Sequence, residues 1–528
     1  MSDTPQTAKA PWHVWVAAAL VAVLRALPFC ALRWSDPPPG RAFLQVGYIP
    51  KDWLQYAAFV RQAAAHLAAP MQNPFTTDAQ GGRFLLLYHQ VLGTLCAVTG
   101  LDALLALELS RIPLLCLFFW LVWRLTGRLF AQHDHRLWAL WLVALSGGLE
   151  FLLQPTFGLW PPDVANVLRE DFWAMFGWST FEAAYNPLWL AGLCLVVPLL
   201  QAALDPQAPR RHAWMAAGFF LLYFVHPYSA MAVLAIVLLQ PVLMALLAAP
   251  GVRAALLRTW PPILLALVLA GSVSLWQLRD PVYRASSGGL LGVRILTVFW
   301  YPLTFGVLLL LAARGWQRMA LQQHPWRFGL ASWTLAILLL HSSPVLNGYH
   351  FLYFQHMSLA LVAAPVLADL VAQLRSRPPF GRLAIGLLLA TLFSAPLVVT
   401  VQAIGEALRE HKVPAESVAI AQRLGQEPPG NALTTAGLGN LVPAFSQDHV
   451  YVGHWFMTPR YEERADEVEH LFAADHLDGA HLQALVRTQH LRYVVLPRRL
   501  AGEALRALAP WSPVEVPYDT MSLLRLKT

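Results

Sequence analysis

Gly47-Tyr-Ile-Pro-Lys-Asp52-Trp-Leu-Gln-Tyr56-Ala-Ala-Phe-Val-Arg61 follows a single apolar run, residues 14–32, and puts one carboxylate at a membrane–water boundary beside Lys51 and two aromatics. Carboxylates are scarce in this part of the chain, where only fifteen acidic residues occupy the first 404 positions. Composition sets the frame around that stretch. The 528 residues are 57% hydrophobic and 13% charged, with a mean hydropathy of +0.49, whereas a soluble domain carries about 25% charged residues. Apolar runs recur from Val14 to about Gln402. Each is long enough for a hydrocarbon core of roughly 30 Å, and backbone groups in lipid must be paired internally, so the runs are expected to be helices.

The expected fold class is therefore an all-α polytopic membrane protein with a small C-terminal α/β domain. About eleven spans are placed near 14–32, 103–124, 137–154, 186–204, 213–226, 229–249, 261–277, 294–313, 328–343, 351–374 and 383–402. No small-residue cleavage site follows the first run, so it reads as a retained helix. Basic connections (Arg124, Arg128 and Arg136; Arg210 and Arg211; Arg253 and Arg258; Arg314, Arg318 and Arg327; Arg375, Arg377 and Arg382) alternate with less basic ones. Positive-inside then puts the first long loop, 33–102, and the tail on the outward side. The short apolar segment 84–100 reads as a helix lying in or dipping into the outer leaflet, since counting it as a span would invert every later loop. The expected domains are 1–404 in the membrane and 405–528 outside it, because the last 124 positions hold the other fifteen acids. There, 461–470 reads as a solvated helix, and 492–496 and 522–526 as short strands. Cys30, Cys96, Cys116 and Cys194 lie in apolar segments without metal-type spacing, and no disulfide framework is expected.

Asp52 has two compatible readings. It is a helix cap before Trp-Leu-Gln-Tyr, or a general base that takes or orients a proton on an acceptor hydroxyl. Tyr48, Trp53 and Tyr56 suit sugar faces, and equally suit anchoring at a bilayer interface. The run Asp52-Trp-Leu-Gln-Tyr56…Arg61-Gln, then Asn73-Pro-Phe-Thr-Thr…Arg83-Phe…Leu92-Gly93, then Ser110-Arg111-Ile-Pro113, within the order helix, long outward loop, many spans and outward tail, resembles the GT-C superfamily of polyprenyl-phosphate-sugar-dependent membrane glycosyltransferases. The resemblance implies an inverting transfer to an extracytoplasmic acceptor, with Asp52 as catalytic aspartate, in the inner (plasma) membrane. Many members carry a second acid beside the first; here the neighbours are Lys51 and Trp53.

A second acid is sought in the loop 155–185, where Asp171 and Glu182 are candidates, and at Glu150, since an ionisable residue inside a membrane is a functional candidate by default. Two such carboxylates would act as base and orienter or share a divalent cation; no cofactor is firmly implied, and no metal ligand is assigned. A lipid phosphate calls for guanidinium contacts, and the outward candidates are Arg83, Arg279, Arg284 and Arg294. His226, Tyr349 and His350 are expected in a cavity, His350 in preference to His356. In the tail, Tyr451-Val-Gly-His454-Trp-Phe-Met-Thr-Pro459 is a strand end suited to closing over a membrane cavity, or to packing the domain core. The expected binding set is Lys51, Tyr56, Arg83, His226, Arg279, Arg284, Tyr349, His350 and His454. No nucleotide, serine-nucleophile or nucleic-acid motif occurs. The competing classes are a lipid or polysaccharide transporter or flippase, and a non-catalytic assembly protein of the same fold. A transporter should hold its charges deep in the membrane, whereas here they concentrate outside it.

Overall fold

The computed structural model describes residues 11–44, 46, 50–67, 69–148, 179–205, 212–287, 301–343, 348–377, 379–473 and 475–527. The chain divides into two compact units, one of residues 1–27, 110–271 and 290–404, the other of 28–109, 272–289 and 405–528.

The first unit is helical. Among the described residues of the whole chain, six helices are long and apolar enough to cross a membrane: Trp12–Trp34 (α1), Ala103–Leu129, Pro187–Leu204, Pro227–Leu246, Val252–Gln277 and Leu352–Arg375. The pair Phe380–Phe393 and Ala395–Glu410, bent by 40°, makes a seventh if it is one span. The helices His212–Val225 and Arg327–His341 are apolar but shorter; at 1.5 Å per residue they reach only roughly 20 Å. Leu352–Arg375 is the central element, buried at every position from Leu352 to Ala364. Elsewhere large apolar side chains such as Val23, Leu264, Val268, Leu310, Leu339 and Leu383 are exposed. A multi-pass membrane protein turns that surface to lipid.

The second unit starts from the helix Pro50–Ala65 (α2), whose inner face is Trp53, Leu54, Ala57, Ala58, Val60 and Ala63. It packs on the helix Leu87–Thr99 (α3) through small residues. A Cβ at Gly93 would fall 2.5 Å from Ala63 Cβ and 2.7 Å from Val60 O, so only glycine lets the two backbones meet. Gly93→Ala gains up to about 1 kcal/mol of helix propensity, but overpacking costs about 1–3 kcal/mol. The expected result is a lower melting temperature in detergent; an unchanged or raised one would show that α2 and α3 can part freely.

Strand β1 (Arg41–Phe43) pairs antiparallel with β2 (Lys412–Pro414). The remaining strands, β3 (Asn431–Leu433), β4 (His449–Val450), β5 (Leu491–Pro497), β6 (Val514–Pro517) and β7 (Met521–Arg525), form one sheet in the order β4-β3-β5-β7-β6. β3 runs parallel to β4 and β5, and β7 runs antiparallel to β5 and β6. Central β5 is buried on both faces, which Tyr-Val-Val-Leu satisfies, and it packs with Leu433, Leu482, Val486 and Leu524. The helix Tyr461–Ala473 carries the acids expected of it, yet its inner face is Arg464, Val468, Leu471 and Phe472.

Asp448 precedes β4. Its Oδ1 accepts the Gly430 N–H at 2.7 Å. Burial pushes its carboxyl from 3.8 up to about 6; bonds from Ser446 and Gly430 and the charge of Arg492 pull the other way, and Glu427 adds to the rise. A carboxyl with a raised folded-state pKa contributes stability that is full below its unfolded value and lost as pH rises through the folded one. Asp448→Asn has no such titration. Its stability relative to the parent should therefore grow by on the order of 2–3 kcal/mol between pH 4 and pH 7. Parallel melting curves of the two proteins over that range would reject this by staying a constant distance apart.

Candidate functional site

Asp52 lies in the first turn of α2, which begins at Pro50 rather than at Asp52 itself. The carboxylate is therefore inside the helix start, where the free N–H groups and the dipole favour negative charge, and it keeps a third of its surface open (34%). Opposite it stands His454, 2% exposed, its Nε2 at 3.8 Å from Asp52 Oδ1. His454 Nδ1 accepts the Phe456 N–H at 3.3 Å. In a neutral imidazole this assigns the remaining proton to Nε2, the atom facing Asp52. The spacing is too long for a hydrogen bond, so a neutral His454 faces the carboxylate with its N–H, and only a protonated ring would make an ion pair with it.

The loop that presents His454 is held from three sides. Gly439, on the helix Ala436–Phe445, presses on the strand end, where a Cβ would fall 1.9 Å from Val452 O. Thr458 Oγ1 donates to Phe75 O at 2.8 Å and accepts the Gly453 N–H at 3.1 Å. Asn73 Nδ2 reaches both Met457 O (2.7 Å) and Ser286 Oγ (3.1 Å), and Ser286 Oγ also donates to Met457 O. One buried asparagine thus ties the first long loop to the segment 272–289 and to the tail. Arg464, nearly fully buried, locks the same loop: its guanidinium takes both oxygens of Asp78 at 2.6 and 2.8 Å and donates to Thr76 Oγ1 and Tyr451 O.

The other expected residues of this unit divide by exposure and partner. Lys51 is exposed. The Tyr56 ring lies 5.3 Å from that of His89 and 5.9 Å from that of Trp53. Arg83 Nη1 donates to Trp276 O at 2.7 Å, its guanidinium 5.4 Å from the Trp276 ring. Arg279 and Arg284 are exposed, Arg284 on the short helix Pro281–Ser287. Asp280 caps that helix through the N–H groups of Val282 and Tyr283 and also accepts the Gly81 N–H. Arg294 falls outside the described residues.

The first unit gathers a separate group. Tyr228 and His350 rings meet at 4.1 Å, and Trp189 meets His350 edge-on at 5.7 Å. His226 Nδ1 bonds Ser229 Oγ at 2.7 Å, and Ser229 Oγ lies 3.4 Å from Tyr353 OH. Tyr349 is in the short 3-10 turn Gly348–Phe351. His356 spends both ring nitrogens on protein: Nδ1 accepts the Thr180 N–H, and Nε2 faces Ser146 Oγ at 2.9 Å. Glu182, on the turn Thr180–Ala183, holds Arg25 of α1 at 3.2 Å. Arg25 is wholly buried, its guanidinium against the Phe181 and Tyr185 rings at 3.5 and 3.2 Å, with Nε donating to Phe181 O. Arg111 donates to Tyr185 O and to Arg25 O. Asp52 and Glu182 belong to different units, and Glu150 and Asp171 lie outside the described residues. Among the described residues no three His, Cys, Asp or Glu side chains form a group able to hold a metal ion.

No protein-family model matches the chain, and no curated protein matches it. Solved structures do. ArnT from Cupriavidus metallidurans bound to undecaprenyl phosphate is similar over 98% of this chain and 98% of that one, at 15% identity and a TM-score of 0.55. The chain shares the fold of that structure. The arabinofuranosyltransferase AftD from Mycobacteria shares it over 99% of this chain and 40% of its own, at 16% identity and a TM-score of 0.56. The Archaeoglobus fulgidus oligosaccharyltransferase tethered with an acceptor peptide is similar over 92% of this chain and 69% of its own, at 14% identity and a TM-score of 0.48. On this scaffold the sequence signals behind Asp52 and His454 were visible. Those for Arg25, Asn73 and Arg464 were weaker: Arg25 is the single charge inside the first apolar run, Asn73 figured only in the resemblance, and Arg464 sat among acids that made its helix look wholly solvated.

Proposed function

We propose that this protein is an inverting membrane glycosyltransferase that moves a sugar from a polyprenyl-phosphate-linked donor to an extracytoplasmic acceptor, with Asp52 as the base or orienter of the acceptor hydroxyl. The observation that carries the reading is Asp52 at the start of α2 with His454 Nε2 at 3.8 Å. A carboxylate at a helix start, partly open to solvent and backed by a buried N–H, can accept a proton while its orientation is held. His454 then acts as a positioning residue. Support for the donor class comes from the fold shared with ArnT, which was solved with undecaprenyl phosphate. In this reading Lys51, Arg83, Arg279 and Arg284 meet the lipid phosphate, Tyr56 meets a sugar face, His226, Tyr349 and His350 remain candidates for the substrate-binding wall, and Glu150 for a second catalytic acid. Glu182 enters it first as the counter-ion of Arg25.

The topology belongs to the same proposal. The protein sits in the inner (plasma) membrane with eleven spans, the shorter apolar helices crossing as well. Residues 1–404 form the membrane domain, with loop 33–102 outward, and residues 405–528 form an extracytoplasmic α/β domain. The test is sugar transfer from a defined polyprenyl-phosphate sugar by the purified protein beside its Asp52→Asn variant. Transfer by the parent that the substitution leaves intact would remove Asp52 from the reaction.

A further inference from the structure

At the amino ends of β3 and β5, the sheet and its helices enclose an open cleft of ≈ 420 Å³ walled by Gly430, Asn431, Arg487, His490, Arg492 and Trp511. That volume falls within the range of about 300–1,000 Å³ typical of small-molecule sites. All six residues lie in the tail, and none belongs to the group around Asp52.

The chemistry of the walls is specific. Arg487 makes no hydrogen bond and no ion pair among the described residues, and its guanidinium stands 5.5 Å from the Trp511 ring, within cation–π range. Arg492 makes one long bond, 3.4 Å, to Pro429 O. His490 adds a third basic side chain from a backbone at φ +50°, a conformation that L residues seldom adopt. Asp448, whose carboxyl feels the charge of Arg492, is buried and already accepts the Gly430 N–H, while Glu427 is paired with Arg423 and Arg525. Two guanidinium groups with unspent donors therefore share a cleft with one flat aromatic wall. Inorganic phosphate would use the arginines and leave Trp511 and most of the volume unused. A neutral sugar would use Trp511 through its apolar ring face and leave the two guanidinium groups of the cleft without an anion. A pyranose bearing a carboxylate or phosphate uses both, since guanidinium groups bind such anions in bidentate fashion.

We infer that this cleft binds an acidic saccharide. The site is a binding surface on the tail, separate from the Asp52 group, and it stands whether or not Asp52 is catalytic. An open cleft suits a unit within a glycan chain, whose neighbours must leave on both sides.

The experiment is calorimetric titration of the full-length protein in detergent with trigalacturonate, maltotriose and inorganic phosphate. Trigalacturonate is expected to bind saturably, and the double variant Arg487→Gln, Arg492→Gln to weaken it at least ten-fold without lowering the melting temperature. Both side chains are solvent-accessible, so folding should survive; if the double variant melts early, Arg487→Gln alone is used, with the loss expected to be several-fold. Undiminished binding by the variant, or maltotriose binding as tightly as trigalacturonate, overturns the inference. Phosphate matching trigalacturonate overturns it as well, by reducing the cleft to an anion site. No arm involves sugar transfer, so failure here leaves the role of Asp52 to its own assay.

Discussion

Asp52→Asn should lower sugar transfer by about 10²- to 10⁴-fold, the usual contribution of a positioned base, while the protein remains folded and inserted. Asparagine keeps the shape and one acceptor oxygen, so the helix start at Pro50 is little disturbed, and loss of the charge near the first turn should cost less than about 1 kcal/mol. Transfer and melting temperature are therefore measured on the same preparation. A fall in turnover at constant melting temperature places Asp52 in the reaction. Near-normal turnover removes it. The partner His454 separates orientation from proton transfer. If His454 holds the carboxylate rather than touching the acceptor, His454→Gln, which retains a donor toward Asp52, should lose less activity than His454→Ala.

Glu182→Gln should destabilise the protein by about 3–5 kcal/mol, the usual cost of removing one partner of a buried ion pair. Arg25 has no exposed surface and is pressed between two aromatic rings, so once Glu182 loses its charge the guanidinium has nowhere to be hydrated. Replacing both by methionine should recover most of the loss, since an apolar pair of similar volume avoids desolvating two ions. Unfolding in detergent of the parent, Arg25→Met, Glu182→Met and the double methionine variant gives the coupling directly. A Glu182→Gln protein with unchanged stability and abolished transfer would return Glu182 to the catalytic carboxylates.

Local signals in the sequence were reliable where one element decides its own form. Arg492-Tyr-Val-Val-Leu496 read as a short strand and 461–470 as a helix, and both elements form, though the helix read as solvated buries one face. The carboxylate at 52 stood out because the first 404 positions hold so few, fifteen in all. What local pattern could not supply is pairing across distance. Nothing near Asp52 points to His454, and nothing near Glu182 points to Arg25, which lies in an apolar run whose hydrophobicity dominates any reading of it. Arg464 was hidden for the opposite reason, since its neighbours are charged and its burial depends on Asp78 and Thr76 of a distant loop. Each of these contacts exists only because tertiary packing brings two remote segments together, and a helix or strand period carries no trace of its partner.

The tie made by Asn73 has a consequence in time. The ribosome delivers Asn73 early, and Met457, the carbonyl it holds, nearly four hundred residues later. At about 5–20 residues per second, the first long loop waits on the order of tens of seconds for the segment that completes it. During that interval its buried asparagine, its Phe75 and the acid awaiting Arg464 have no tail to close on. The pairing of Asp52 with His454 is therefore the last thing synthesis provides, and a chain interrupted before the tail emerges would carry Asp52 without the histidine that faces it.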